Sequence, residues 1–124
     1  MRFQKYINEN KQDVMAFADK VEKELELKSF DVFMRTDGSL ELNLLIVNPE
    51  ARKKGTGSEA VKRLTKYADD NDYAIYVNPA VADDFQGTTS RSRLVKFYKR
   101  FGFVENKGRN KDFTYRGGMY RLPK

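Results

Sequence analysis

Apolar residues recur along this chain with two different periods, and the changes of period mark its elements. From Asn10 onward, Val14, Phe17, Ala18, Val21 and Leu25 fall three or four apart, the spacing of one helix face. Asn10 and Asp13 stand where a helix start favours a capping oxygen. A helix ending near Leu25 is predicted, and ahead of it Arg2 to Ile7 is expected to form a short strand. Ser29 to Arg35 and Leu40 to Val47 then flank Thr36-Asp37-Gly38-Ser39, a strong hairpin signal. Leu40, Leu42 and Leu44 alternate with Glu41 and Asn43 before the solid run Leu44-Leu45-Ile46-Val47, so the second strand is expected to end covered on both faces. Asn48-Pro49 stops it.

Ala60, Val61, Leu64, Tyr67 and Ala68 mark a second amphipathic helix, with Thr56 and Glu59 spaced as a capping box. Tyr73 to Val77 reads as a short strand, Ala80 to Ser90 as a polar loop whose Thr89 and Ser90 cap the next helix. Leu94, Phe97, Tyr98 and Phe101 mark that third helix, stopped by Gly102. Phe103-Val104 restarts a strand, and a last strand pair is expected around Phe113 to Tyr115 and Met119 to Leu122. The order is α/β (α+β): a mixed central sheet flanked by about three helices.

Composition narrows the chemistry. The 124 residues suit one domain, 1–124, able to bury a core without staples. The absence of Cys and His excludes disulfides, thiol nucleophiles, imidazole bases and the usual zinc sites, and no metal is expected. Catalysis would have to use carboxylates, phenols, lysines, hydroxyls, backbone amides and water. No apolar run nears the roughly 18 residues that cross a bilayer, and no signal-like block opens the chain, so a cytoplasmic protein with no membrane partner is expected. Net charge is +6, but residues 1–50 hold 7 Lys/Arg and 10 Asp/Glu while 51–124 hold 17 and 8. An anionic partner is met by the second half.

The stretch ARKKGTGSEA, residues 51–60, places two glycines behind three cations and before a helix. Glycines let backbone approach an anion, first-turn amides lack helical partners, and the helix dipole favours negative charge there. A P-loop requires Lys and Ser or Thr after its last glycine, whereas Gly57 is followed by Ser58-Glu59. GTGSEA fits the dinucleotide fingerprint, but seven residues separate Val47 from Gly55, and the next strand ends in Val77-Asn78 without an acid for a ribose.

The whole run LNLLIVNPEARKKGTGSEAVKRL resembles the signature of the GNAT superfamily of N-acetyltransferases, a strand ending in V-x-P-E and then R-x-x-G-x-G, with Arg52, Gly55 and Gly57 in the defining places. SRLVKFYKRFGFV, residues 92–104, is similar to that family's second signature, Phe97-Tyr98 followed by Gly102-Phe103. KRFGFVEN also approaches an RNA-binding strand motif, but its aromatics continue a helical spacing that Gly102 ends.

The resemblance implies a GNAT-like fold and direct transfer of an acetyl group from acetyl-CoA to an amine acceptor, a protein lysine or N-terminus being favoured. It implies that the backbone of Leu45, Ile46 and Val47 pairs with the pantetheine arm, and that Arg52, Lys53, Lys54, Gly55, Thr56, Gly57 and Ser58 hold the pyrophosphate. Tyr98 would protonate the departing thiolate, a task suited to a phenol, while Phe97 is the better core aromatic. Glu41 is the candidate base, directly or through water, with Asn43 to orient a water. Arg91 stands where the family often has a cofactor-contacting Asn.

One helix precedes the first hairpin where the family usually has two, a shortened N-terminal part that implies an open acceptor cleft, suited to a protein or a nucleic-acid-bound amine. Residues 89–111 hold eight Lys/Arg and one acid, Glu105. The last 30 or so residues resemble small acetyltransferases of bacteriophages and mobile elements, which would place the protein in a host cytoplasm. A second reading is a binding module on the same fold that contacts nucleic acid or an acidic protein without catalysis. A different donor such as succinyl-CoA is a third.

Overall fold

The computed structural model describes residues 2–48, 55–79, 91–113 and 118–124, with residues 2–8 and 91 as backbone alone. Among them run α1 (Arg2–Glu24), β1 (Ser29–Met34), β2 (Leu40–Ile46), α2 (Thr56–Asp70), β3 (Ile75–Val77), α3 (Arg91–Lys99), β4 (Val104–Glu105) and β5 (Met119–Arg121), with a 3-10 turn at Gly108–Asn110.

The strand expected at Arg2–Ile7 is instead the start of α1. Phe3 and Ile7 already carry the helical spacing that Val14 continues, and no Gly or Pro interrupts it. Asn10 and Asp13 therefore lie inside the helix and cap nothing; Asp13 instead accepts a hydrogen bond from the Tyr67 hydroxyl of α2. At the far end of α2, Asn71 follows the last turn and Tyr73 begins the approach to β3, whose regular part is Ile75–Val77.

The sheet is mixed, in the order β1-β2-β3-β5-β4. β1 and β2 form the expected antiparallel hairpin, β2 and β3 run parallel, and β5 lies antiparallel between β3 and β4. Of the last strand pair expected around Phe113 to Tyr115 and Met119 to Leu122, the second is β5, which pairs with β3 and β4, while Phe113 lies in a turn and Thr114 and Tyr115 fall outside the described residues.

Side-chain phase in β2 changes midway. Asp31 faces Leu44 and Val32 faces Leu42, leaving Asn43 as an extra residue in a bulge. Leu40 and Leu42 are buried before the bulge, whereas after it Leu45 and Val47 pack against the core and Leu44 opposes the exposed Asp31. The expectation of one face Leu40–Leu42–Leu44 fails at its third member, because each bulge residue shifts the two-residue alternation by one. Leu44 to Val47 are all only half-buried, so the end of β2 is not covered on both faces as expected.

One sheet face carries the core. Val14, Ala18 and Val21 of α1, Ala60, Val61, Leu64 and Ala68 of α2, and Val95 and Tyr98 of α3 join Val32, Leu40, Leu42, Ile75, Val77 and Met119 in one buried cluster. Phe17 and Tyr67 stack at 4.1 Å where α1 meets α2. The opposite face, whose registered neighbours are Phe33, Glu41, Tyr76 and Tyr120, carries no α-helix among the described residues; Tyr76 and Tyr120 bond there to Asp112 and Asn110 of the β4–β5 connection.

A buried cation ties the C-terminal end to this core. Arg121, 5% exposed, donates to both Asp69 oxygens at 2.8 and 2.9 Å and to the Phe101 carbonyl at 2.9 Å. Asp69 also accepts the Lys124 backbone N–H. These bonds hold the Asp69 carboxyl down at about 2, the Arg121 guanidinium being the main cause. α2, the α3–β4 turn and β5 are thereby clamped together.

Candidate active site

The parallel pairing of β2 with β3 is short. It runs Leu40↔Ile75, Glu41↔Tyr76 and Leu42↔Val77 and goes no further, although β2 continues to Ile46 with β1 on its other side. Among the described residues, no strand occupies the β3 side of Asn43–Ile46. A strand edge without a neighbouring strand forms a template for an added one. The described pairing stops here where β2 carries the bulge at Asn43 and β3 ends before Asn78-Pro79.

α2 begins beside this opening. Its N-cap is Gly55, left-handed at φ 73 and ψ 21, with no side-chain cap. The Thr56–Glu59 capping box expected from the spacing is not formed: Thr56 is already the first helical residue, and Glu59 pairs with Arg63 at 3.1 Å. The Gly55 carbonyl accepts the Glu59 N–H, so the amides of Gly57 and Ser58 fall in a first turn without an intrahelical acceptor. A 15-residue helix thus presents its positive end with glycine, not a capping side chain, in front of it.

Gly57 brings three elements together. A Cβ added there would lie 3.4 Å from Val47 Cγ2 and 4.0 Å from Phe97 Cζ, so the end of β2, the start of α2 and α3 meet at this residue. Leu45, Ile46, Val47, Thr56, Gly57 and Ser58 are half-buried around it and Gly55 is exposed. Arg52, Lys53 and Lys54 lie outside the described residues. Arg91 opens α3, but its side chain is outside them as well.

Tyr98 faces the core cluster from α3, 6% exposed, with ring centroids 5.1 Å from Phe97 and 5.4 Å from Phe103. Phe97, expected to be the more buried of the pair, is the half-exposed one that reaches toward Gly57. The stop at Gly102 is as expected: it takes φ 93, and the Phe103 N–H returns to the Tyr98 carbonyl.

Glu41 stands on the helix-free face, so the structure sets it and Tyr98 on opposite sides of the sheet. Its side chain is 28% exposed, 4.0 Å from Arg35 Nε. Arg35 lies over the Tyr76 ring at 4.5 Å, and the Tyr76 hydroxyl donates to Asp112 at 2.8 Å. Burial, and the Asp112 carboxylate beside it, push Tyr76 up to about 12. Asn43, expected to orient a water, donates to Asp31 at 2.9 Å. Arg35, Tyr76 and Asp112 were not singled out by the sequence. The parity of Tyr76 between Ile75 and Val77 would have placed it on this face; nothing in the sequence points to Asp112, which comes from 36 residues away.

The model of the acetyltransferase (GNAT) family matches residues 8–103. The chain belongs to this family, and is a GNAT-type N-acetyltransferase. No curated protein matches the chain at significance. No described helix is long and apolar enough to cross a membrane.

Proposed function

We propose that this acetyltransferase takes its acetyl group from acetyl-CoA and moves it directly to an amine on a macromolecule, with a protein lysine or N-terminus favoured. The observation that carries the reading is the juxtaposition at Gly57 of a helix N-terminus whose N-cap is Gly55 with a strand edge that, among the described residues, has no partner strand beyond Leu42. The residues present fit the donor: the edge of Leu45 to Val47 suits the amides of a pantetheine arm, and the first turn of α2 suits a pyrophosphate. Gly55, Thr56, Gly57 and Ser58 would hold those phosphates, with Arg52, Lys53, Lys54 and Arg91 adding charge.

When bound, acetyl-CoA supplies an acetyl group activated as a thioester. A phenol is a proton donor, and Tyr98 offers its hydroxyl proton to the leaving sulfur. Glu41 takes up the amine's proton on its carboxylate, directly or through water. Their placement on opposite sheet faces suits an acceptor that arrives from the helix-free side, where Phe33 is 40% exposed and Asp31 is in solvent.

The test is the melting temperature with and without acetyl-CoA. A ligand at about a hundred times its dissociation constant adds about 2.7 kcal/mol, several degrees for a domain of this size. No shift at millimolar acetyl-CoA would overturn the donor assignment, and a larger shift with succinyl-CoA would reassign the acyl group.

A further inference from the structure

The connection between β4 and β5 lies beyond the residues that the family model matches, and the inner side of its stretch 106–112 is tied down. Asn106, buried, accepts the Asp112 N–H at 2.6 Å, and its own backbone N–H bonds to the Gly118 carbonyl at 2.8 Å. The Tyr76 hydroxyl holds the Asp112 side chain, and the Tyr120 hydroxyl holds the Asn110 carbonyl.

The outer side is different in kind. Lys107, Arg109 and Lys111 are exposed, and Phe113 is 88% exposed with Lys111 Nζ 6.0 Å from its ring centroid. Glu105, the single acid of residues 89–111, is shared between Lys107 at 3.5 Å and Lys99 at 3.1 Å. That sharing joins the loop to the face of α3 that exposes Lys96, Lys99 and Arg100. Solvation alone calls for charge; it does not call for a loop fastened from within, nor for a phenylalanine left in water.

We propose that the outer face of residues 107–113 and the Lys96–Lys99–Arg100 face of α3 bind single-stranded nucleic acid. The cations follow the phosphate backbone, and Phe113 stacks on an unpaired base. An acidic peptide offers charge but no base to stack, and a duplex keeps its bases paired, so the exposed ring selects the single strand. Through Asp112 and Tyr76 the loop also borders the Glu41 face, and under the transferase reading a bound strand passes the side from which the acceptor comes.

The experiment is fluorescence anisotropy of a labelled oligouridine of about 20 nucleotides, titrated with the full chain at about 50 and 200 mM salt. The variant K107S/R109S/K111S is expected to bind at least about tenfold more weakly at the lower salt, with a log–log salt slope shallower by about 2. Phe113→Ala is expected to weaken binding by about 5- to 150-fold without changing that slope. An unchanged melting temperature shows that the variants are folded. Should the triple variant melt early, Lys111→Ser alone is expected to reduce the slope by about 0.7.

Absence of binding at the lower salt, or wild-type affinity in the charge variants, would overturn the proposal. So would a duplex or polyglutamate bound as tightly as the oligonucleotide with Phe113→Ala indifferent, the latter favouring an acidic protein. The titration contains no acetyl-CoA, so oligouridine binding without a thermal shift by acetyl-CoA would keep this proposal and overturn the donor reading, and the reverse result would do the opposite.

Discussion

Gly55 and Gly57 are two residues apart and ask different things of glycine. Gly55 takes φ 73 with nothing within 4 Å of an added Cβ, so its requirement is conformational. Gly55→Ala is expected to cost about 1–2 kcal/mol through left-handed strain alone, seen as a melting temperature a few degrees lower. Gly57 has helical backbone, and an added Cβ meets Val47 and Phe97 at ordinary contact distance. Gly57→Ala is therefore expected to leave the melting temperature unchanged or slightly raised, since alanine is the better helix former, while weakening acetyl-CoA binding at the crowded first turn. Titration of both variants separates the two roles: a Gly57→Ala protein that binds acetyl-CoA like the parent would sink the proposed cradle. For Tyr98, replacement by Phe is expected to lower kcat by about 10²- to 10⁴-fold, read as CoA release with a panel of amines, with the acetyl-CoA thermal shift intact. Loss of that shift with unaltered turnover would make Tyr98 a packing residue.

Among elements, the clamp between α2 and β5 carries an asymmetry that can be measured. Asp69→Asn leaves the guanidinium of Arg121 buried without its counter-charge, whereas Arg121→Met leaves a carboxylate that is 27% exposed and still bonded by the Lys124 amide. Breaking buried pairs costs about 3–5 kcal/mol, and Asp69→Asn is expected to be the costlier of the two in urea unfolding. The sign with pH follows from the lowered carboxyl. The stabilisation is fully present above the unfolded value of 3.8 and is lost as pH falls through about 2. Unfolding free energies between about pH 5 and 2 should therefore fall more steeply in the parent than in Asp69→Asn; parallel slopes would remove Asp69 as the responsible group. The bulge at Asn43 is the other device at this scale. It sits where the β2–β3 pairing stops, beside the edge that the proposed donor uses, and by shifting the alternation it packs Leu45 instead of Leu44 against the core.

For the whole molecule, charge and coverage are both lopsided: +9 on residues 51–124 against −3 before them, and three helices on one sheet face with none described on the other. If the basic half serves the donor, the dissociation constant for acetyl-CoA should rise several-fold between about 0.01 and 0.15 M salt, as the screening length shortens from about 30 to 8 Å; a salt-independent value in titration would detach that charge from the donor. The helix spacings of Val14 to Val21 and of Ala60 to Ala68, the Asp37-Gly38 turn, the Gly102 stop and the pair of signatures were all legible along the chain, because each depends on neighbours within a turn or two and on the stereochemistry of single residues. The start of α1 was misread because Arg2–Ile7 is too short a window to distinguish a helical period from a strand's. The bulge, the early end of the β2–β3 pairing, the Arg121–Asp69 clamp, the Tyr76–Asp112 contact and the separation of Glu41 from Tyr98 were not legible. Each relates residues 10 to 57 positions apart, and such relations are set by strand register and core packing, to which no local period corresponds. Most of the elements, and the family, are written in local periods and signatures; register and packing, which have no such local trace, set which edge of β2 lacks a strand partner among the described residues, which sheet face carries no described α-helix and which side chains meet there.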